Sequence, residues 1–116
     1  MTIPSDLGKI VIANEVIASV AGQVATGCFG VKGMAAKSVS DGIVRLLKQD
    51  YYSKGVTIRE TLEGNIDITL HIAVNHGVNI QTVCRSIISE VQYHTERLTG
   101  IPVGRVDVSV DSIRAN

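Results

Sequence analysis

The stretch Ile66-Asp67-Ile68-Thr69-Leu70-His71-Ile72-Ala73-Val74 decides the fold, because its large apolar residues fall on every second position. Strand side chains point alternately to opposite faces. Ile66, Ile68, Leu70, Ile72 and Val74 therefore make a dry face, and Asp67, Thr69, His71 and Ala73 take the other. A strand buried on both sides would read as an unbroken apolar run, so this one belongs to a sheet covered on one side only. Just beyond it, Asn79 precedes Ile80, Val83, Cys84, Ile87, Ile88, Val91 and Leu98. That spacing predicts an amphipathic helix capped by the asparagine and stopped at Gly100 and Pro102.

Working outward, Val56, Ile58 and Leu62 alternate with Thr57, Arg59 and Thr61, which predicts a strand hairpinned to the first. A loop Glu63-Gly64-Asn65 sets Leu62 opposite Ile66 and keeps the faces matched, leaving Glu60 beside Ile68 and in need of a sheet edge or a partner. Residues 105–111 alternate likewise, with Val106, Val108 and Val110 inward and Asp107, Ser109 and Asp111 outward. Toward the N-terminus, residues 8–12 form a short edge strand. Asn14 then caps a helix carrying Val16, Ile17, Val20, Ala21, Val24 and Cys28, ended by Gly27 and Gly30. Ala18, Ala21, Gly22 and Ala25 thin one side of it, so a neighbouring backbone can come close. Ser40 caps a second, shorter helix through Gln49 with Ile43, Leu46 and Leu47 inward, and residues 51–55 are a loop. The expectation is an α+β fold in two layers, a mostly antiparallel sheet with helices on one face, in the order β-α-α-β-β-α-β. One domain spans residues 8–113, between tails 1–7 and 114–116.

The 116 residues suffice for one domain with its own core. Eleven Lys and Arg balance eleven Asp and Glu, which removes the general attraction that drives non-specific binding to nucleic acid or anionic lipid. Residues 1–8 lack a basic segment followed by an apolar run, so no cleaved secretory signal is expected. Residues 10–31 carry one charge, Glu15, over a length that could cross a bilayer, which takes about 20 residues. Asn14, Ser19, Gln23 and Thr26 recur on one side, however, and Gly22, Gly27 and Gly30 interrupt the segment, so a helix of a water-facing layer is the better reading. Cys28 and Cys84 form no CxxC pair and sit on apolar helical stripes, as reduced packing thiols in a cytosolic protein would.

Few residues gather into a chemistry. Gly27-Cys28-Phe29-Gly30-Val31-Lys32-Gly33-Met34 lacks the spacing of a phosphate loop and follows a helix, where such loops follow a strand; it reads as a tight helix-ending turn. Within it, Gly30, Lys32 and Gly33 form a GxxG with a basic residue between two expected helices, which resembles the KH RNA-binding module. The zero net charge and the lack of an aromatic platform on the strands argue against nucleic acid. His71, His76 and His94 have no metal-ligand spacing, so no metal is expected, and His94 reads as a partly buried histidine bonded to a neighbour. Neither cysteine has the electropositive setting of a nucleophile. What remains is the wet sheet face. Arg59, Asp67, Thr69, His71, Asp107 and Ser109 are its candidate partner-binding residues, with Thr57, Thr61 and Asp111 on the same side and the loop residues Gly30, Lys32 and Gly33 as a second candidate surface.

Several segments together resemble the alkaline-shock-protein family of small bacterial envelope-stress proteins. They are Gly8-Lys9-Ile10-Val11-Ile12 with Glu15-Val16-Ile17; Gly30-Val31-Lys32-Gly33-Met34; Gly55-Val56; Asn75-His76-Gly77; and Thr99-Gly100-Ile101 with Val103 and Val106-Asp107-Val108-Ser109-Val110. The resemblance implies a non-enzymatic cytoplasmic protein of Gram-positive bacteria concerned with the cell envelope. In some members a separate anchor protein holds it at the membrane. It supplies no catalytic residues and no cofactor. The expected partner is thus a protein, a membrane anchor among the options, with any membrane location indirect; a homo-oligomer stays open, and a KH-like RNA-binding module is the alternative.

Overall fold

A computed structural model describes residues 1–37 and 42–115. The elements are β1 (Thr2–Ser5), β2 (Gly8–Val11), α1 (Asn14–Thr26), β3 (Val31–Lys37), β4 (Val44–Leu46), a 3-10 segment (Gln49–Gly55), β5 (Val56–Glu60), β6 (Ile66–Asn75), α2 (Ile80–Thr99) and β7 (Val103–Arg114). The alternating stretch is the centre of the molecule. Ile66, Ile68, Leu70, Ile72 and Val74 of β6 are all fully buried, in one cluster with Ile17, Ala21 and Ala25 of α1 and Val83, Ile87 and Val91 of α2. Both helices therefore lie on the dry face, giving the two expected layers and the α+β class.

β7 runs parallel to β6 along its whole length, from Ile66 opposite Val103 to Asn75 opposite Arg114. A strand has two edges, so the other partners share the remaining one. β5 covers its first half, with Val56 opposite Leu70 and Glu60 opposite Ile66, and β3 its second half, with Met34 opposite Ile72 and Val31 opposite Val74. β4 pairs with the end of β3, Ala35 opposite Leu46. The alternation predicts mostly antiparallel pairing, and β3–β4, β3–β6 and β5–β6 obey it. The longest pairing is parallel instead. Period-two patterning specifies which face is buried, not the direction of a neighbour, and α2 supplies the crossover that a parallel pair requires.

The element order departs from the expected one at both ends of the N-terminal half. Residues 2–5, expected as a tail, pair with β2 as a separate hairpin, Thr2 opposite Val11 and Ser5 opposite Gly8. At the other end of the chain, β7 runs through Arg114, one residue into the expected tail. The second helix does not form. Ile43 and Leu46 are exposed, Val44–Leu46 is a strand, and the Leu47 N–H bonds the Met34 carbonyl at 2.9 Å. Ile43, Leu46 and Leu47 fit the helical period, but Val44 and Leu46, two apart, also offer that of a strand, and pairing with β3 decided between them. The expected Ser40 cap lies outside the described residues. Residues 51–55, read as a loop, belong to the 3-10 segment, which kinks at Tyr51.

The hairpin loop is one residue earlier than expected. Thr61 N–H bonds the Asn65 carbonyl at 2.9 Å, so the loop is Leu62-Glu63-Gly64 and Leu62 points fully into solvent. The reason is Gly64, whose φ of 84° provides the left-handed residue that closes a three-residue loop. The faces stay matched, because Ile58 now opposes Ile68. Glu60 lies on edge strand β5, exposed, 3.4 Å from the Met1 amine.

The helices bury narrower stripes than their patterns predict. On α1 the buried residues are Ile17, Ala18, Ala21, Gly22 and Ala25, while Val16 is exposed and Val20, Val24 and Cys28 are half-buried. The small side faces inward because the 3-10 segment packs there: a Cβ on Gly22 would stand 3.0 Å from Tyr52 Cβ. The N-cap of α1 is Ala13, not Asn14; its carbonyl accepts the Val16 and Ile17 N–H groups without a side-chain cap. On α2 the cap is as expected, Asn79 Oδ1 accepting the Thr82 N–H at 3.0 Å, and Gly100 ends the helix with φ 73°. Its buried row is Val83, Ile87, Val91 and Thr95, one residue per turn, which leaves Ile80, Ile88 and Leu98 exposed at the rim.

Candidate functional site

The wet face is assembled by register. On β5, β6 and β7 the row Thr57, Thr69, Asp107 lies beside the row Arg59, Asp67, Arg105, and His71 sits next to Ser109 one row further on. All six candidate residues, Arg59, Asp67, Thr69, His71, Asp107 and Ser109, thus share one face, opposite the helices. Arg59 and Asp107 are exposed and the other four half-buried, as befits side chains standing on an uncovered sheet.

Charges on this face are paired across and along strands. Arg59 Nη2 donates to Asp67 Oδ2 at 2.6 Å. Arg105 Nε donates to both Asp107 carboxylate oxygens, at 2.9 and 3.1 Å, and this carboxylate raises the guanidinium pKa above its ordinary value. A bulge at Asp111 turns its carboxylate back over the sheet, where it lies 3.0 Å from His71 Nδ1 and accepts the Ser109 hydroxyl at 2.6 Å. β4 bounds the face at this end, since Arg114 Nη2 reaches the Val44 carbonyl at 2.8 Å. Between them lies an open depression lined by Ala36, Val44, Lys54, Thr57, His71 and Asp111.

Two members of the face escaped the sequence reading. Arg105 stands two residues before Asp107 in the same alternation, so period two alone would have placed it there. Lys54 comes from the 3-10 segment, and no local pattern signals its proximity to β5 and β6. Thr61, expected on the face, is consumed by the hairpin turn, where its hydroxyl bonds the Asn65 backbone.

The loop candidate resolves differently. Gly30 is a buried turn residue with φ 87°, Val31 begins β3, and Gly33 is buried opposite Ala73; only Lys32 is exposed. Gly30, Lys32 and Gly33 are therefore not a free loop between helices, and the helix that a KH-like order needs next is replaced by a strand pair. Of the remaining candidates His94 stands as expected, whereas Cys28 lies beyond the end of α1 and Cys84 beside the buried row of α2, both half-buried. His94 is half-buried with Nε2 3.0 Å from Glu90 Oε2. Cys28 and Cys84 are free thiols whose pKa values burial pushes up, with the Glu90 carboxylate adding to the effect at Cys28. Among the described residues no group of three His, Cys, Asp or Glu could hold a metal ion, and no helix is long and apolar enough to cross a membrane.

Comparison with known proteins covers nearly the whole chain. Residues 2–115 match the alkaline-shock-protein 23 family, described by a cell envelope-related function. The chain is 37% identical to the uncharacterized protein YloU of Bacillus subtilis over 108 residues, 92% of this chain and 89% of that one. It is 36% identical over 108 residues to an uncharacterized protein of Streptococcus pyogenes, covering 92% of this chain and 88% of the relative. The uncharacterized protein YqhY of Bacillus subtilis is 27% identical over 93% of this chain and 78% of its own. No solved structure matches. With a family match over residues 2–115 and a 37% identical relative covered over 89% of its length, this chain belongs to the alkaline-shock-protein 23 family, whose function is related to the cell envelope.

Proposed function

We propose that the protein is a non-catalytic interaction module of the cell envelope system and that it captures a protein partner on the open face formed by Arg59, Asp67, Thr69, His71, Asp107 and Ser109. The observation that carries this reading is the convergence of these six residues, from three neighbouring strands, on the side of the sheet away from both helices. Exposed Arg59, Arg105 and Asp107 offer charge of both signs, which selects a partner by complementarity and orients it. The polar groups are bonded to one another and not arrayed for a reaction. The Ser109 hydroxyl donates to Asp111 and not to an imidazole, and the raised thiol pKa values disfavour a cysteine nucleophile.

A membrane anchor protein is a partner of this kind, and it would give a cytoplasmic protein an indirect place at the membrane. Zero net charge supports that indirect route, since stable lipid attachment takes two signals such as acylation and a basic patch. The reading is tested in native cells with a photo-crosslinking side chain at Thr69, which should yield a protein adduct, and the same group at exposed Gln81 on α2, which should not. Arg59→Gln combined with Asp107→Asn should diminish the adduct, while each change removes one partner of a surface ion pair at a cost of about 1 kcal/mol or less. An adduct from Gln81 and none from Thr69 would move the docking surface to the helix side. Purified protein should remain in solution when anionic vesicles are floated; flotation without a partner would replace indirect attachment by direct lipid binding.

A further inference from the structure

We infer that two copies of this chain pair through the free edges of β7, antiparallel about a two-fold axis at Val108, so that the two sheets become one. The inference does not rest on the docking reading above. Among the described residues β7 is hydrogen-bonded as a strand only to β6, and its opposite edge is open beyond Val103, whose N–H bonds Glu96 Oε2 at 2.9 Å and whose carbonyl accepts from Gln92 Nε2 at 3.5 Å. Long edge strands are usually blunted by proline, by lysine or by charges pointing inward. This one has no proline, no lysine and no inward-pointing charge; its protections are the exposed Arg105 and Asp107, which bond each other, and two bulges, at Gly104 and at Asp111, and between the bulges Arg105-Val106-Asp107-Val108-Ser109-Val110 keeps one register.

The dry side of this edge is left incompletely covered. Val103 and Val106 are buried, Val108 and Val110 only half-buried, and Ile113 is 53% exposed. Gln92 of α2 reaches the Val103 carbonyl at 3.5 Å, which places that side of the helix over β7. Ile88, one turn earlier, is also exposed, so an apolar fringe borders the open backbone groups.

A second copy fits this edge in one register. An axis between two residues would set a dry side chain opposite a wet one, so the axis passes through a residue. With the axis at Asp107 that carboxylate faces itself, and at Ser109 each Asp107 faces an Asp111. At Val106 or Val110 a single pair of valines meets before a bulge interrupts. With the axis at Val108, Val108 opposes Val108 of the second copy and each Val106 opposes a Val110. Each Asp107 then opposes a Ser109, and each Arg105 comes to the level of an Asp111. Three apolar pairs on one face and two opposite-charge pairs on the other make this the complementary arrangement. It also makes the two wet faces continuous.

Cysteine cross-linking and sedimentation test the arrangement. In a Cys28→Ala, Cys84→Ala background, Val108→Cys should form a covalent dimer under mild oxidation, because directly opposed residues of an antiparallel pair lie within disulfide reach, whereas Val106→Cys alone should not. In sedimentation the unaltered chain should be dimeric. Arg105→Glu should raise the dimer dissociation constant on the order of tenfold, and Arg105→Glu with Asp111→Arg should restore it. Arg105 is exposed, so a variant that dissociates while keeping its far-ultraviolet dichroism reports the interface and not the fold. A chain that sediments as a monomer at every concentration overturns the inference. So does a dimer indifferent to Arg105→Glu, or one that cross-links as well from Val106→Cys as from Val108→Cys.

Discussion

A Cβ on Gly30 would stand 2.6 Å from Val83 Cγ2, so the turn that launches β3 is closed directly against α2. Gly30 also holds φ 87°, and its carbonyl accepts the Asn75 N–H at 2.9 Å, tying the turn to the end of β6. Gly30→Ala meets both a left-handed backbone that disfavours any Cβ and a side-chain overlap. The two together should cost about 2–4 kcal/mol. Urea unfolding should show a lower midpoint at unchanged slope, and Val83→Ala added to Gly30→Ala should cost less than the two separate changes summed.

Asn79 stands at the other end of the same junction. Its Oδ1 accepts the Thr82 N–H at 3.0 Å, in the first turn of α2. Asn79→Ala leaves that N–H without its side-chain acceptor and should cost about 1 kcal/mol, while Asn79→Asp should retain the cap. Thermal unfolding of the two variants separates the hydrogen bond from mere size.

The elements that could be read in the sequence are those whose local pattern and tertiary setting agree. β6 and α2 are such elements: Ile66 to Val74 alternate and are buried on alternation, and Asn79 and Gly100 delimit α2 by cap chemistry. Val44-Arg45-Leu46 is the opposite case, since its fate was set by pairing with Ala35 and Ala36 of β3 and not by its own spacing. The parallel neighbour of β6 was invisible for a related reason. Val106, Val108 and Val110 alternate identically whichever way β7 runs. The wet face was legible because period two places polar residues on a face without any need to know strand order, so Arg59, Asp67, Thr69, His71, Asp107 and Ser109 emerge together. Lys54 was not, because a 3-10 segment brings it there from outside the alternation.

The thiols of Cys28 and Cys84 are both pushed up by burial. A proton held more tightly in the folded than in the unfolded chain favours folding at neutral pH, and that contribution fades as pH rises through the raised thiol values. Stability should therefore decline on the alkaline side of the ordinary thiol range, and decline less steeply in Cys28→Ala, Cys84→Ala. Stability curves against pH check the slope. At neutral pH both thiols should react with iodoacetamide more slowly in the native protein than in urea. Because Cys84 is only half-buried, Cys84→Ser should cost less than about 1 kcal/mol.

Thr95 is fully buried in the core-facing row of α2, and its Oγ1 has no hydrogen-bond partner. The neighbouring hydroxyl of Thr99 donates to the Thr95 carbonyl at 2.6 Å, so the local backbone is satisfied while the Thr95 side chain is not. An unpaired buried hydroxyl carries a desolvation penalty, whereas a methyl group gains from burial in the core-facing row that Thr95 shares with Val91. Thr95→Val exchanges the hydroxyl for a methyl of similar shape at nearly equal helix propensity, and should stabilise the fold by about 1 kcal/mol or somewhat more. Thr95→Ser keeps the hydroxyl and deletes the packed methyl, and should destabilise by about 1 kcal/mol. Urea midpoints of the two variants must therefore move in opposite directions. If Thr95→Val lowers the midpoint, the hydroxyl has found an acceptor in solution, and the α2 backbone carbonyl one turn earlier, at Val91, is the first group to examine by amide hydrogen exchange.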